Sequence, residues 1–257
     1  MSSSMLSGFV CPFRGLRFLF QHPRLLLYIA IPGIINAVLF SVVVWLVASR
    51  IGTWLTRFLP RGDAWYWTAL FYLLVVIAGI ALFLAVVYTF SIIGNLILGP
   101  FNDLLSEKVE QVYTDKDIND AWTLAAFFSD SIRSVKVEMG KLMLYLAGIA
   151  VLLLLNLLPL VGNAISGALM VLYTLLFLGW EYIDYSMERW RFSLRLKVQT
   201  TLRNARAFIG FGAGASLLLL IPIANMVAIP VCVTGATLLF CDIKTGRPFS
   251  GEEKLTT

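Results

Sequence analysis

Charge is scarce in this 257-residue sequence: Asp, Glu, Lys and Arg together make up 14% of it, where an ordinary globular domain carries about a quarter. The shortage is concentrated. Residues 25–49, 64–102, 142–180 and 207–241 contain no charged residue at all, and each run exceeds the roughly 20 apolar residues needed to span a bilayer. Histidine is limited to His22, which alone makes neither a triad nor a metal centre and reads as a local structural residue before Pro23. Cys11, Cys232 and Cys241 show no C-x-x-C pair or zinc spacing and read as small packing residues. A G-x-S-x-G elbow, a Walker loop and a dinucleotide fingerprint are also missing. No enzymatic activity, metal or cofactor is therefore expected, and any transport would be passive or ion-coupled.

What is present is a membrane composition, 59% hydrophobic. The reading is a single all-α membrane domain with two long transmembrane helices and two helical hairpins. Residues 1–24 form an amphipathic interfacial segment: 1–7 are polar, and 9–20 mix aromatics with Arg14 and Arg17, unlike a cleavable leader. Residues 25–49 rise about 37 Å as a helix, one crossing with tilt. Residues 64–102 would rise about 58 Å, so one crossing leaves an end projecting past the hydrocarbon. Trp65, Tyr66 and Trp67 suit its entry interface, and Pro100 marks its other end. The most polar part, 103–141, is expected to form amphipathic surface helices, with Leu104, Leu105 and Val109 on one side.

The last two charge-free runs share a phrase: apolar run, Pro, a short gap, Asn, apolar run. It occurs at Pro159 to Asn163 and again at Pro222 to Asn225, with Pro230 following. Proline interrupts the helical ladder and Asn tolerates a turn, so 142–186 and 207–241 read as hairpins around those tips. Their legs are short, which leaves open both partial penetration and a full crossing with tight turns. A basic amphipathic linker, 187–206, lies between them, and 242–257 form a polar tail.

The net charge of +5 sits in the linkers that flank apolar runs. Membrane orientation and anionic lipid account for that placement better than nucleic acid does. Around the first crossing the bias is nearly balanced, Arg14, Arg17 and Arg24 on one side and Arg50, Arg57 and Arg61 on the other, so topology is weakly specified. Two candidate sites stand out. Arg14, Gly15, Arg17, Pro23, Arg24 and Leu25 precede a helix N-terminus, where an oxyanion is favoured; phospholipid head-group contact is the plainer role. Asn95, Asn102, Asp103, Glu107, Glu110, Glu181, Asp184 and Tyr185 cluster where helices leave the bilayer, and could line a path or pair with basic residues.

The order Pro23 through Ile31-Pro32 with Asn36, then Pro100-Phe101-Asn102-Asp103-Leu104-Leu105-Ser106-Glu107-Lys108-Val109-Glu110, then Asp184-Tyr185, then Ile221-Pro222-Ile223-Ala224-Asn225 through Pro230 and Gly235-Ala236 resembles the CysZ family of bacterial sulfate permeases, which belongs with the etoposide-induced-protein superfamily. The resemblance covers roughly residues 12 to 242. It implies an inner-membrane protein with two long transmembrane helices and two partly penetrating hairpins, assembled as a homo-oligomer with protomers in both orientations. It further implies ATP-independent uptake of sulfate for cysteine synthesis. The family carries Pro-Gly-Leu-Arg-Arg at the start of its first crossing, where the arginines and backbone amides bind sulfate. Here the run is Pro23-Arg24-Leu25-Leu26-Leu27, which leaves Arg24 or Arg17 to replace the pair. The family's Asp-Tyr-Pro followed by His becomes Asp184-Tyr185-Ser186. A second reading from another class is a non-transporting membrane scaffold that organises lipid or partner proteins through 103–141 and 187–206.

Overall fold

The computed structural model describes residues 4–58, 65–115, 124–155 and 162–245. Among them every regular element is a helix. Helix α1 (Met5–Gln21) starts on Ser4, whose side chain accepts from the Ser7 backbone N–H. It stops at His22, because a residue before proline is driven out of the helical region. His22 Nδ1 lies 3.0 Å from the Phe18 carbonyl oxygen. A short 3-10 turn, Pro23–Leu26, leads into α2 (Leu27–Phe58). There follow α3 (Trp65–Thr114), α4 (Leu124–Leu154), α5 (Gly162–Arg189), α6 (Leu194–Arg203), α7 (Ala205–Leu220) and α8 (Pro222–Thr245).

The stretches Pro23–Leu46, Lys136–Leu154, Gly162–Arg189 and Val227–Thr245 are each long and apolar enough to cross a membrane. This is a multi-pass membrane protein. Helix α7, with 16 residues, rises about 24 Å and falls short of the roughly 30 Å hydrocarbon core. A single extended residue, Ile221 (φ −86°, ψ 112°), separates α7 from α8, as expected before Pro222.

The chain divides into two compact units. In the unit 28–101, formed by α2 and the first part of α3, most described side chains are exposed; Trp45, Phe83 and Tyr88 are examples. Bulky apolar groups facing outward are what a bilayer solvates. The other unit, 1–27 with 102–257, holds the core. Here α1 packs on both α7 and α8, and α5 packs on α7. The helices come together backbone to backbone. A Cβ placed on Gly15 of α1 would stand 2.5 Å from the Gly235 nitrogen and 2.5 Å from the Val231 carbonyl oxygen of α8. Only a residue without a side chain permits that approach, the familiar device of helix packing in lipid.

Several expected boundaries move. Pro100 does not end a helix: α3 runs through it to Thr114, since one missing backbone hydrogen bond is tolerated in a long helix whose flanking turns remain intact. The described residues of segment 103–141 belong to two long helices and not to separate surface helices. Its first part is the end of α3, where Asn102, Leu105, Ser106, Val109 and Glu110 are buried while Leu104 is 43% exposed. The buried stripe follows helical spacing through polar residues, because those polar groups are paired. Its last part lies in α4, which continues unbroken past Lys141 to Leu154. Pro230 is not at a tip; it lies buried inside α8. Asn163 is exposed in the first turn of α5. Pro159 lies outside the described residues, and so do the side chains of Asn95, Pro222 and Asn225.

Candidate functional site

Three polar clusters are built into the unit that holds α1 and α8. The first joins α1, α3 and α8. Asp242, 1% exposed, accepts from Arg14 Nη1 at 2.9 Å and from the Tyr113 hydroxyl at 2.6 Å. Burial, and then the Asp242 carboxylate, hold the Tyr113 phenol above its usual pKa. Burial likewise pushes the neighbouring Cys11 thiol up to about 12, so it stays protonated and unreactive at neutral pH.

The second cluster ties α3 to α5 and α8. Ser106 Oγ lies 2.8 Å from Thr237 Oγ1 and 3.2 Å from Ser186 Oγ, and accepts from Arg189 Nη1 at 3.0 Å. The same guanidinium forms an ion pair with Glu110, whose other oxygen accepts from Trp190 Nε1 at 3.0 Å. Glu110 is 3% exposed, and such a charge is stable inside only when paired and hydrogen-bonded. Nearby, the Tyr185 side chain hydrogen-bonds Asn102.

The third cluster joins α4, α5 and α6. Lys141 Nζ lies 3.1 Å from Asp184, 2.8 Å from Glu181 and 2.9 Å from Glu138. Lys197 Nζ, with its side chain 1% exposed, lies 2.6 Å from Asp184 and 2.6 Å from Glu188. Four carboxylates surround two ammonium groups, so both cations are already committed to carboxylates.

These clusters sort the sequence candidates. Glu110, Asn102, Tyr185, Glu181 and Asp184 are brought into paired networks, whereas Asp103 is exposed and Glu107 accepts from Gln111 on its own helix. Arg14 is committed to Asp242. Gly15 and Leu25 are buried packing positions, and Pro23 is exposed at the start of the 3-10 turn. Arg17 and Arg24 are exposed and have no carboxylate partner among the described residues. They are the cations of the N-terminal set still available to a solute. The described residues hold no group of three or more His, Cys, Asp or Glu able to bind a metal.

Sequence reasoning missed Lys141, Arg189, Lys197 and Asp242. Lys141 and Asp242 had a signal, for each is the charge that borders a charge-free run. Ser106, Ser186 and Thr237 had none, since their meeting depends on how three helices dock.

The family model for the sulfate transporter CysZ and etoposide-induced protein 2.4 matches residues 11–230. The chain belongs to that family. Among similar proteins, the sulfate transporter CysZ of Pectobacterium atrosepticum is 32% identical over 231 residues, covering 90% of this chain and 82% of that protein. The sulfate transporter CysZ of Pseudomonas aeruginosa is 31% identical over 223 residues, covering 86% and 89%. The sulfate transporter CysZ of Salmonella typhimurium is 32% identical over 222 residues, covering 86% of each. The family match begins at Cys11, within α1, and so takes in both Arg17 and Arg24.

Proposed function

We propose that this chain is an ATP-independent sulfate permease of the bacterial inner membrane, supplying sulfate for assimilation into cysteine, and that it acts as a transporter and not as an enzyme. The relatives' names support sulfate as the solute. The observation on this chain that carries the reading is the division of labour among its arginines: Arg14 is neutralised by Asp242, while Arg17, in the last part of α1, and Arg24, inside the 3-10 turn before α2, face outward without carboxylate partners among the described residues.

A sulfate dianion leaving water needs charge-assisted hydrogen bonds to replace its hydration, and guanidinium forks give them in pairs. In this reading Arg24 makes the main contact and Arg17 raises the local anion concentration. The cluster around Lys141 and Lys197, whose cations are taken by carboxylates, is then a structural tie. Assembly as a homo-oligomer, with protomers in both orientations, is part of the same proposal; the nearly balanced arginines about the first crossing are consistent with it.

Radiolabelled sulfate uptake into proteoliposomes tests the function. Uptake should exceed that of empty vesicles and grow with protein density, without ATP. Uptake equal to empty vesicles at every density would sink the proposal and favour a membrane scaffold.

A further inference from the structure

Beside the third cluster, an apolar cavity of about 580 Å³ opens between α4, α5, α6 and α7. Its size lies within the roughly 300–1,000 Å³ typical of sites for small organic ligands. Leu144 and Val151 of α4, Leu172 of α5, and Val198 and Leu202 of α6 form much of its wall. Both α4 and α5 carry stretches long and apolar enough to cross the membrane, so what reaches this cavity comes from the lipid phase, and hydrocarbon suits its wall where water does not.

Two further observations say which lipid. On α6, Arg195, Val198 and Leu202 follow the i, i+3, i+7 spacing of one helix face, which puts a cation on the stripe that lines the cavity. Arg195, Arg203 and Arg206 are all exposed and have no carboxylate partner among the described residues. In addition, two wall residues that are each 2% exposed, Trp180 and Thr201, hold an Nε1 and an Oγ1 without any hydrogen-bond partner. Buried polar atoms are normally satisfied.

From these we infer that the cavity is a binding site for one anionic phospholipid. One acyl chain fills the apolar groove, a fatty-ester oxygen pairs with Trp180 and Thr201, and the phosphate rests on Arg195 and Arg203. The inference stands apart from the transport reading, because it uses neither Arg17 nor Arg24.

Native mass spectrometry of the purified full-length protein tests it, with palmitoyl-oleoyl phosphatidylglycerol and phosphatidylcholine as probes. The wild type should retain phosphatidylglycerol at a concentration roughly tenfold or more below that needed for phosphatidylcholine, as two arginines at a membrane surface provide. R195Q/R203Q should bring the two titrations together. Ala147 lines the groove and is exposed, so A147W should fill it and reduce retention of both lipids. Identical wild-type titrations for the two lipids would overturn the inference, as would an A147W protein that keeps phosphatidylglycerol as well as the wild type does. A change in the number of protomers per particle in A147W, with lipid retention intact, would assign the groove to a second copy instead. If A147W does not fold, the arginine variant still decides.

Discussion

Helices α2 and α8 both qualify as membrane spans, and α2 is the more apolar of the two, yet 78% of the α8 stretch is buried inside the protein against 6% of the α2 stretch. In water the more apolar helix would be the inner one. In a bilayer that ordering fails, because lipid solvates Leu and Val as well as protein does. What takes α8 inside is small and hydroxyl-bearing residues: Cys232, Thr234, Gly235, Ala236 and Thr237 are buried. Gly235 lets α1 reach the α8 backbone, and Thr237 bonds Ser106 of α3. Apolarity here says that a helix enters the membrane. Side-chain size and hydrogen bonding say which helix is central.

The sharpest way to break this contrast is to add bulk to each helix in turn. G235L should abolish a monodisperse peak in fluorescence-detected size-exclusion chromatography, because its side chain would meet the Cys11 carbonyl at 2.5 Å. A normal elution profile would show that the α1–α8 contact does not hold the core. The next largest effect is expected from R189M, which strands the buried Glu110 carboxylate. Removing one partner of such a pair costs about 3–5 kcal/mol, to be read as a lowered thermal midpoint. The double variant R189M/E110M should recover much of the loss, and a double variant no better than the single one would mean the ion pair is not the cause. Least affected should be G33A in α2, where nothing lies within 4 Å of an added Cβ. Its thermal midpoint should stay level or rise slightly, since alanine is favoured over glycine in a helix by about 1 kcal/mol. A large drop would place Gly33 in a tight contact.

The same contrast explains what the sequence could and could not disclose. The all-α membrane class was legible in the charge-free runs, and the α7–α8 turn was legible at Ile221-Pro222 because proline constrains the residue before it. Pro100 and Pro230 were not separable from that case by local chemistry, although both lie within helices. A proline's effect depends on whether the turns that flank it stay helical, which its local sequence does not decide. For the site, the acidic residues Glu110, Glu181 and Asp184 were visible at helix ends, but which cations they pair with, Arg189, Lys141 and Lys197, was not. Those pairings cross between elements, and no spacing along one helix encodes them. The separation of Arg14 from Arg17 and Arg24 also needed the structure, since three arginines in one segment look alike until Asp242 is seen to occupy one.

That separation is the centre of the functional account, and isothermal titration of sulfate tests it most directly. R17A/R24A should weaken sulfate binding roughly tenfold or more, as the loss of charge-assisted contacts to an anion requires, while the thermal midpoint remains that of the wild type. A sulfate isotherm unchanged from the wild type would contradict the assignment of the anion to these two arginines.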